Sequence, residues 1–335
     1  MHLFALDASR EFGLQVAAAL GLALAPHEER EFEDGEHKSR PLVDVQGAPV
    51  VIVHSLHGRT GLSAADRLCR LLFFAAALRD HGATRVTAAV PYLPYGRKDR
   101  RTKPGDPVTT RYVAQLVEAV GIDALITLEA HNLAALQNAF RIPTVHLDAA
   151  ELFAERALAL AGDAPAVVMS PDPGGVKRAQ LFRELLEARS GRAFGAAYME
   201  KRRSEGVVSG SLLAGEVRDA TVLLIDDLVS TGGTLQRAAQ ACLQQGARRV
   251  LAFAAHGLFN AGADAVIADG AIERFFIADT VPVFGLGERA RARVEVLGAA
   301  PQFARAIGRL AGASGAGGGA TAASTRGSAA DAGLS

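Results

Sequence analysis

One plan occurs twice in this chain. The stretch PVVIVHSLHGRTGLSAADRLCRLLFFAAALRDHGATRVTAAVPY, residues 49–92, is matched by ATVLLIDDLVSTGGTLQRAAQACLQQGARRVLAFAAHGLF, residues 220–259. Each copy runs an apolar strand, a glycine-containing loop, an Ala/Leu-rich helix, and then Gly-Ala-X-Arg-Val leading into another apolar strand. That is a βαβ unit, and its repetition predicts an α/β chain of two tandem domains. Strands apolar along their whole length are covered on both faces, so each domain is expected to hold a mainly parallel sheet flanked by helices. With 335 residues the chain is long enough for two such cores. Ligands are then expected at the carboxyl ends of the strands.

One strand end carries unusual chemistry. In VLLIDDLVSTGGTL, residues 222–235, the apolar run Val222 to Ile225 meets two adjacent carboxylates, Asp226 and Asp227. A loop of Ser230, Thr231, Gly232, Gly233 and Thr234 follows, and helical spacing resumes at Leu235, Ala239 and Leu243. Backbone N–H groups, hydroxyls and a helix N-terminus suit a phosphate, while paired carboxylates suit hydroxyls or a hydrated metal. Both needs are met by a sugar phosphate such as ribose 5-phosphate. The first copy has His54 and Ser55 near the position of the two acids, so only the second half is expected to hold that ligand.

Other strand ends add charge. PYLPYGRKDRRTKPGDP, residues 91–107, is a loop by its prolines and glycines, and its Arg97, Lys98, Arg100, Arg101 and Lys103 suit a polyphosphate or a solvated basic surface. LITLEAHN (125–132) ends in Glu129 and His131, and VVMSPDPGG (167–175) leads to Asp172. Imidazole and carboxylate at two strand ends can bind a divalent cation that bridges phosphates. MEKRRSEG (199–206) reads as a hairpin-like excursion crowned by Lys201, Arg202 and Arg203, cations able to close over a charged transition state or simply to face solvent.

Composition excludes several classes of partner. Lys plus Arg equals Asp plus Glu at 36 each, so no global charge favours nucleic acid or an anionic membrane. The start, MHLFALDASREFG, is not a secretory leader, and no run of about 18 apolar residues occurs, so a cytoplasmic protein without a membrane span is expected. Cys69 and Cys242 each lie in an apolar helical pattern typical of buried free thiols. Residues 311–335 are rich in Gly, Ala and Ser and nearly devoid of large apolar side chains, which predicts a disordered tail.

Taken in order, FEDGEH (32–37), PYLPYGRKDR, SPDPGG, EKRR and IDDLVSTGGT resemble the motifs of the ribose-phosphate pyrophosphokinases, also called phosphoribosyl pyrophosphate (PRPP) synthetases, over nearly all of residues 1–310. The resemblance implies two tandem phosphoribosyltransferase-type domains, an ATP-binding one over residues 1–147 and a ribose 5-phosphate-binding one over 148–310. It implies transfer of diphosphate from ATP to the anomeric hydroxyl of ribose 5-phosphate, giving PRPP and AMP. Carried onto this sequence, Phe32, Asp34, Gly35, Glu36, Arg97, Lys98 and Asp99 serve ATP, and His131 and Asp172 bind Mg²⁺. Lys201 and Arg203 become catalytic, Arg203 also meeting ribose 5-phosphate together with Asp226, Asp227 and the loop from Ser230 to Thr234. The adenine segment of that family reaches a neighbouring subunit's site, which implies a homo-oligomer, at least a dimer.

Three positions depart from the common bacterial pattern of that family: Lys98 for a usual glutamine, Glu200 for a frequent aspartate, and Ser230 for a third acid in the loop. The last resembles archaeal-type members, which lack activation by phosphate and inhibition by ADP. Two alternatives share parts of the pattern. A PRPP-consuming phosphoribosyltransferase uses the same loop but needs neither a second α/β half nor FEDGEH, and a non-catalytic regulatory homologue would be expected to lose Lys201, which is present.

Overall fold

The computed structural model of the chain describes residues 1–59, 61–204 and 207–316; the side chains at 201–211 and 313–316 lie outside that description, as do residues 60, 205–206 and 317–335. The first half runs β1 (His2–Ala5), α1 (Arg10–Leu20), β2 (His27–Glu31), β3 (His37–Pro41), β4 (Pro49–Val53), α2 (Ala64–Asp80), β5 (Arg85–Val90), α3 (Thr109–Ala119), β6 (Ala124–Leu128), α4 (Leu133–Ala139) and β7 (Thr144–Leu147). The second half runs α5 (Ala149–Ala161), β8 (Ala166–Ser170), α6 (Val176–Ser190), β9 (Gly195–Ser204), β10 (Val207–Ala214), β11 (Thr221–Val229), α7 (Gly233–Gln244), β12 (Arg249–Gly257), α8 (Ala263–Asp269), β13 (Arg274–Ala278), α9 (Glu288–Arg291), β14 (Val294–Leu297) and α10 (Ala300–Ala316).

The repeated βαβ units are present as β4–α2–β5 and β11–α7–β12. Around them grow an all-parallel sheet ordered β1-β4-β5-β6-β7 and a larger sheet ordered β10-β9-β8-β11-β12-β13-β14. The second is parallel except for β10, which turns back antiparallel on β9. Apolar strands such as Val50 to Val53 and Val222 to Ile225 are buried on both faces, as helix-covered parallel sheets require.

The sheets do not keep separate cores. Each has a cluster on one face, while a third cluster fills the space between the halves with side chains from both. There Phe12 of α1 meets Phe303 of α10 edge to face, ring centroids 5.4 Å apart, so the last helix packs on the first one. Helix α10 continues to Ala316, six residues into the segment that composition marked as a tail; its remainder from 317 lies outside the described residues.

Cys242 is buried as expected, but Cys69 is exposed. The apolar stripe of α2 runs through Leu68, Leu71, Leu72, Ala75 and Leu78, and Cys69 sits one position off it. No helix among the described residues is long and apolar enough to cross a membrane.

Candidate active site

Strand β11 does not stop before its acids. It continues through Asp226 and Asp227 to Val229, because its pairing with β12 persists to Val229 opposite Gly257. Its pairing with β8 ends earlier, at Leu224 opposite Met169. Beyond that point one edge of β11 opens into a cleft of about 860 Å³, and both carboxylates line it. The loop from Ser230 to Thr234 forms the adjoining wall.

The two copies of the βαβ unit differ at this joint. Helix α2 is closed by a capping box, with Ser63 Oγ accepting from the Asp66 N–H and the Asp66 carboxylate accepting from the Ser63 N–H. Helix α7 is preceded by Gly232, which supplies no side-chain cap, so its first N–H groups and its positive end face the cleft. Gly232 holds φ at 80°, and a Cβ there would meet Val266 Cγ1 at 3.2 Å, so the turn requires glycine.

From the first half, β6 delivers Glu129, His131 and Asn132 to the opposite wall. His131 Nδ1 donates to Asp227 Oδ2 at 2.7 Å. That bond, above all, raises the imidazole pKa, although burial opposes it. Burial pushes the Asp226 carboxyl up and the neighbouring Asp227 charge adds to this. Burial acts on Asp227 in the same sense but is outweighed by His131 and by Arg178, leaving it well below the usual carboxylate range. The pair therefore carries its negative charge mainly on Asp227, with Asp226 needing cationic or hydroxyl partners to match it.

The basic loop arrives in defined form. Asp106 Oδ2 accepts from the backbone of Thr102 and Lys103, and Thr110 Oγ1 donates to Tyr95 O. Arg97 and Asp99 line the cleft, Asp99 Oδ2 accepting from Asn132 Nδ2 at 2.7 Å. Lys98 lines an adjoining cavity of about 450 Å³ with Tyr92 and His256. Among the described residues none of Arg97, Lys98 and Arg100 enters an ion pair, which leaves three cations available to an anionic ligand.

His131 and Asp172 face the same cleft, as the metal assignment needs. Asp172 Oδ1 accepts the N–H groups of Gly174 and Gly175, fixing its carboxylate at the start of a turn. An imidazole bound through Nδ1 to a carboxylate holds Nε2 in a fixed direction, the arrangement usual for metal-ligating histidines. The Asp172 carboxylate suits a hard cation whose remaining ligands would be phosphate oxygens and water, whereas the His131 nitrogen is a softer donor. Among the described residues, the one group of three potential ligands within 4.8 Å is Asp7, His27 and Glu29, outside this cleft.

One group of expected site residues is not in this cleft wall, and the side chains of a second lie outside the described residues. Phe32, Asp34, Gly35 and Glu36 form the turn between β2 and β3, none of them in the cleft wall. Gly35 takes φ 87°, Asp34 Oδ1 accepts the Glu36 N–H, and Arg30 covers one face of the exposed Phe32 ring at 4.9 Å. Lys201 and Arg203 belong to the β9–β10 hairpin, whose backbone pairs Lys201 with Ser211 and Arg203 with Val208, but their side chains lie outside the described residues.

Sequence reasoning missed Arg178, which reaches Glu129 Oε1 at 2.7 Å and Asp226 Oδ1 at 3.7 Å. In VKRAQLFRELLEARS nothing distinguishes it from Lys177 or Arg183. The positive φ of Glu129, 46°, and of Tyr95, 64°, was also illegible, since neither is a residue type that favours the left-handed region.

Comparison with known proteins agrees with this arrangement. Residues 1–121 match the family model described as the N-terminal domain of ribose phosphate pyrophosphokinase, and residues 137–264 match the phosphoribosyl transferase domain. The ribose-phosphate pyrophosphokinase of Haemophilus influenzae is 34% identical over 314 residues, covering 92% of this chain and 96% of that protein. That of Caldanaerobacter subterraneus is 33% identical over 92% of this chain and 94% of its own length. The crystal structure of phosphoribosylpyrophosphate synthetase from Mycobacterium smegmatis superimposes with a TM-score of 0.83 at 28% identity, covering 93% of this chain and 99% of that one.

Proposed function

Because the chain belongs to the ribose-phosphate pyrophosphokinase family, we propose that its inter-half cleft is where diphosphate passes from ATP to the anomeric hydroxyl of ribose 5-phosphate, giving PRPP and AMP. The observation that carries this reading is the convergence of Arg97, His131, Asp172, Asp226, Asp227 and the Ser230–Thr234 loop on one cleft from both halves. A phosphoribosyltransferase needs only the second half. Residues 1–147 are assigned to ATP and 148–310 to the sugar phosphate.

The uncapped start of α7 and the hydroxyls of Ser230, Thr231 and Thr234 receive the 5-phosphate. Asp226 and Asp227 accept hydrogen bonds from the ribose hydroxyls. Arg97 and Lys98 take the triphosphate, with Asp99 and its Asn132 partner setting the loop's position. The anomeric oxygen attacks the β-phosphorus as its hydroxyl loses a proton, and the bond from that phosphorus to the bridging oxygen on the α-phosphorus breaks, releasing AMP. No covalent enzyme intermediate is required, so catalysis consists of positioning and charge stabilisation, the latter assigned to Lys201 and Arg203. Mg²⁺ held by His131 and Asp172 would supply further neutralisation of the phosphate oxygens.

The adenine is assigned to the Phe32–Glu36 turn of a neighbouring subunit, a reading supported by the absence of that turn from the chain's own cleft wall. The test of the function is direct: ribose 5-phosphate, ATP and Mg²⁺ are incubated with the protein, and the expected products are AMP and PRPP. ADP as the nucleotide product would mean simple phosphoryl transfer and would overturn the reading.

A further inference from the structure

The cleft holds one charged connection that the reaction as described does not use. Arg178, on the first turn of α6, points Nε at Glu129 Oε1, 2.7 Å away, and holds Nη1 3.7 Å from Asp226 Oδ1. Its Nη2 donates to the carbonyl of His131 at 3.5 Å. Glu129 is anchored in turn, its Oε2 accepting from the Ala149 N–H and its own N–H donating to Leu147 O. One guanidinium thus touches the strand end bearing the metal-ligand candidate in the first half and the carboxylate pair of the second.

We propose that Arg178 is a positioning residue for the sugar site, holding the Asp226 carboxylate in its acceptor orientation, and that Glu129 fixes Arg178 and so ties the His131 loop to the same acids. The proposal rests on the reading of the cleft as the ribose 5-phosphate site.

The geometry favours this over a plain structural ion pair. Both side chains are largely withdrawn from solvent, Arg178 at 15% and Glu129 at 8% exposure, while they remain in the cleft wall. A pair whose purpose was only to join the halves would be complete with Glu129. The fork instead spreads over Glu129, Asp226 and the His131 carbonyl, the use to which a planar, five-donor cation is suited. Electrostatics agree: the Arg178 charge draws the Asp226 carboxyl back down against burial and Asp227. The left-handed backbone of Glu129 places strain at the same point, as is common where a side chain is held for function.

The test is a double-mutant cycle read in two ways. Removing one partner of a buried pair leaves an uncompensated charge, so Arg178→Met and Glu129→Gln singly are expected to lower the melting temperature, whereas the double variant recovers most of it. A structural pair predicts that the double variant also recovers sugar-phosphate binding. A positioning role predicts that it does not: KM and the calorimetric Kd for ribose 5-phosphate remain raised about tenfold, the size expected for loss of a charged partner, while KM for ATP changes little. Arg178→Lys, keeping charge without the fork, is expected to recover part of that affinity. A wild-type chain that makes no PRPP overturns the reading of the cleft and this proposal with it. An active wild type whose stable double variant binds ribose 5-phosphate normally overturns this proposal alone.

Discussion

His131 Nδ1 sits 2.7 Å from Asp227 Oδ2, so a residue just past a strand in the first half is bonded to a residue within a strand of the second. This contact makes the cleft a joint property of both repeats. It also sets the state of the acids, since Asp227 is kept anionic by it and Asp226, buried beside that charge, is disfavoured as an anion.

Replacing Asp226→Asn together with Asp227→Asn is expected to weaken ribose 5-phosphate by about tenfold or more, because the pair loses the negative charge that Asp227 carries and an amide accepts hydroxyl bonds less strongly than a carboxylate does. Calorimetry with the sugar phosphate alone measures this. Unchanged affinity would refute the assignment of the two acids to the ribose hydroxyls.

Lys201→Ala is expected to lower kcat by about a hundredfold or more with little change in either KM, the mark of a charge that matters mainly once the transition state forms. Steady-state kinetics with both substrates decides it. Near-normal turnover would make EKRR a solvated charge run.

Stability is expected to fall as pH drops from about 6.5 toward 4. His54 and His57 are pushed to about 3, and His256 to about 4, chiefly by burial, so each stays neutral in the folded chain but takes a proton on unfolding. Across that window the unfolded state binds more protons, which costs about 1.4 kcal/mol per pH unit for each histidine. His131, whose folded pKa is raised, contributes stability that is already complete below its unfolded value of about 6.5, so it does not offset the loss in this window. Melting at about pH 7 and about pH 5 should differ by several degrees. Equal melting temperatures would show that these rings are hydrated.

Subunit mixing tests whether the site is shared. Phe32→Ala with Glu36→Ala spoils the turn between β2 and β3, and Lys201→Ala spoils the hairpin of the other chain. A mixed assembly regains one intact site, so roughly a quarter to a half of wild-type activity should return if subunits pair at random across an isologous interface. Mass spectrometry establishes exchange independently, and proven exchange without recovered activity would confine the site to a single chain.

Removal of residues 317–335 is expected to leave activity and melting temperature nearly unchanged, because that composition offers too little apolar surface to dock. A loss of several degrees on thermal melting would contradict this.

The repeated βαβ plan, the Ser230–Thr234 loop before a helix and the basic loop were legible in the sequence because each is a local matter. Strand and helix periods, glycine at a left-handed turn and hydroxyls before a helix are specified within a dozen residues or so. The capping box of α2 was equally written into Ser63 and Asp66, though its meaning, that the first copy's helix end is closed, emerges only beside the uncapped Gly232. The tertiary structure alone decided the rest. Arg178 is indistinguishable from its neighbours until the first turn of α6 meets Glu129, just past the end of β6, and Cys69 could not be assigned to solvent until the apolar stripe of α2 had chosen its face. Phe12 and Phe303 share a core although they stand near opposite ends of the chain. Such contacts join distant segments, and neither partner carries a local signal of the other, because an isolated charge or ring acquires its role only from the field and packing of what the fold brings to it.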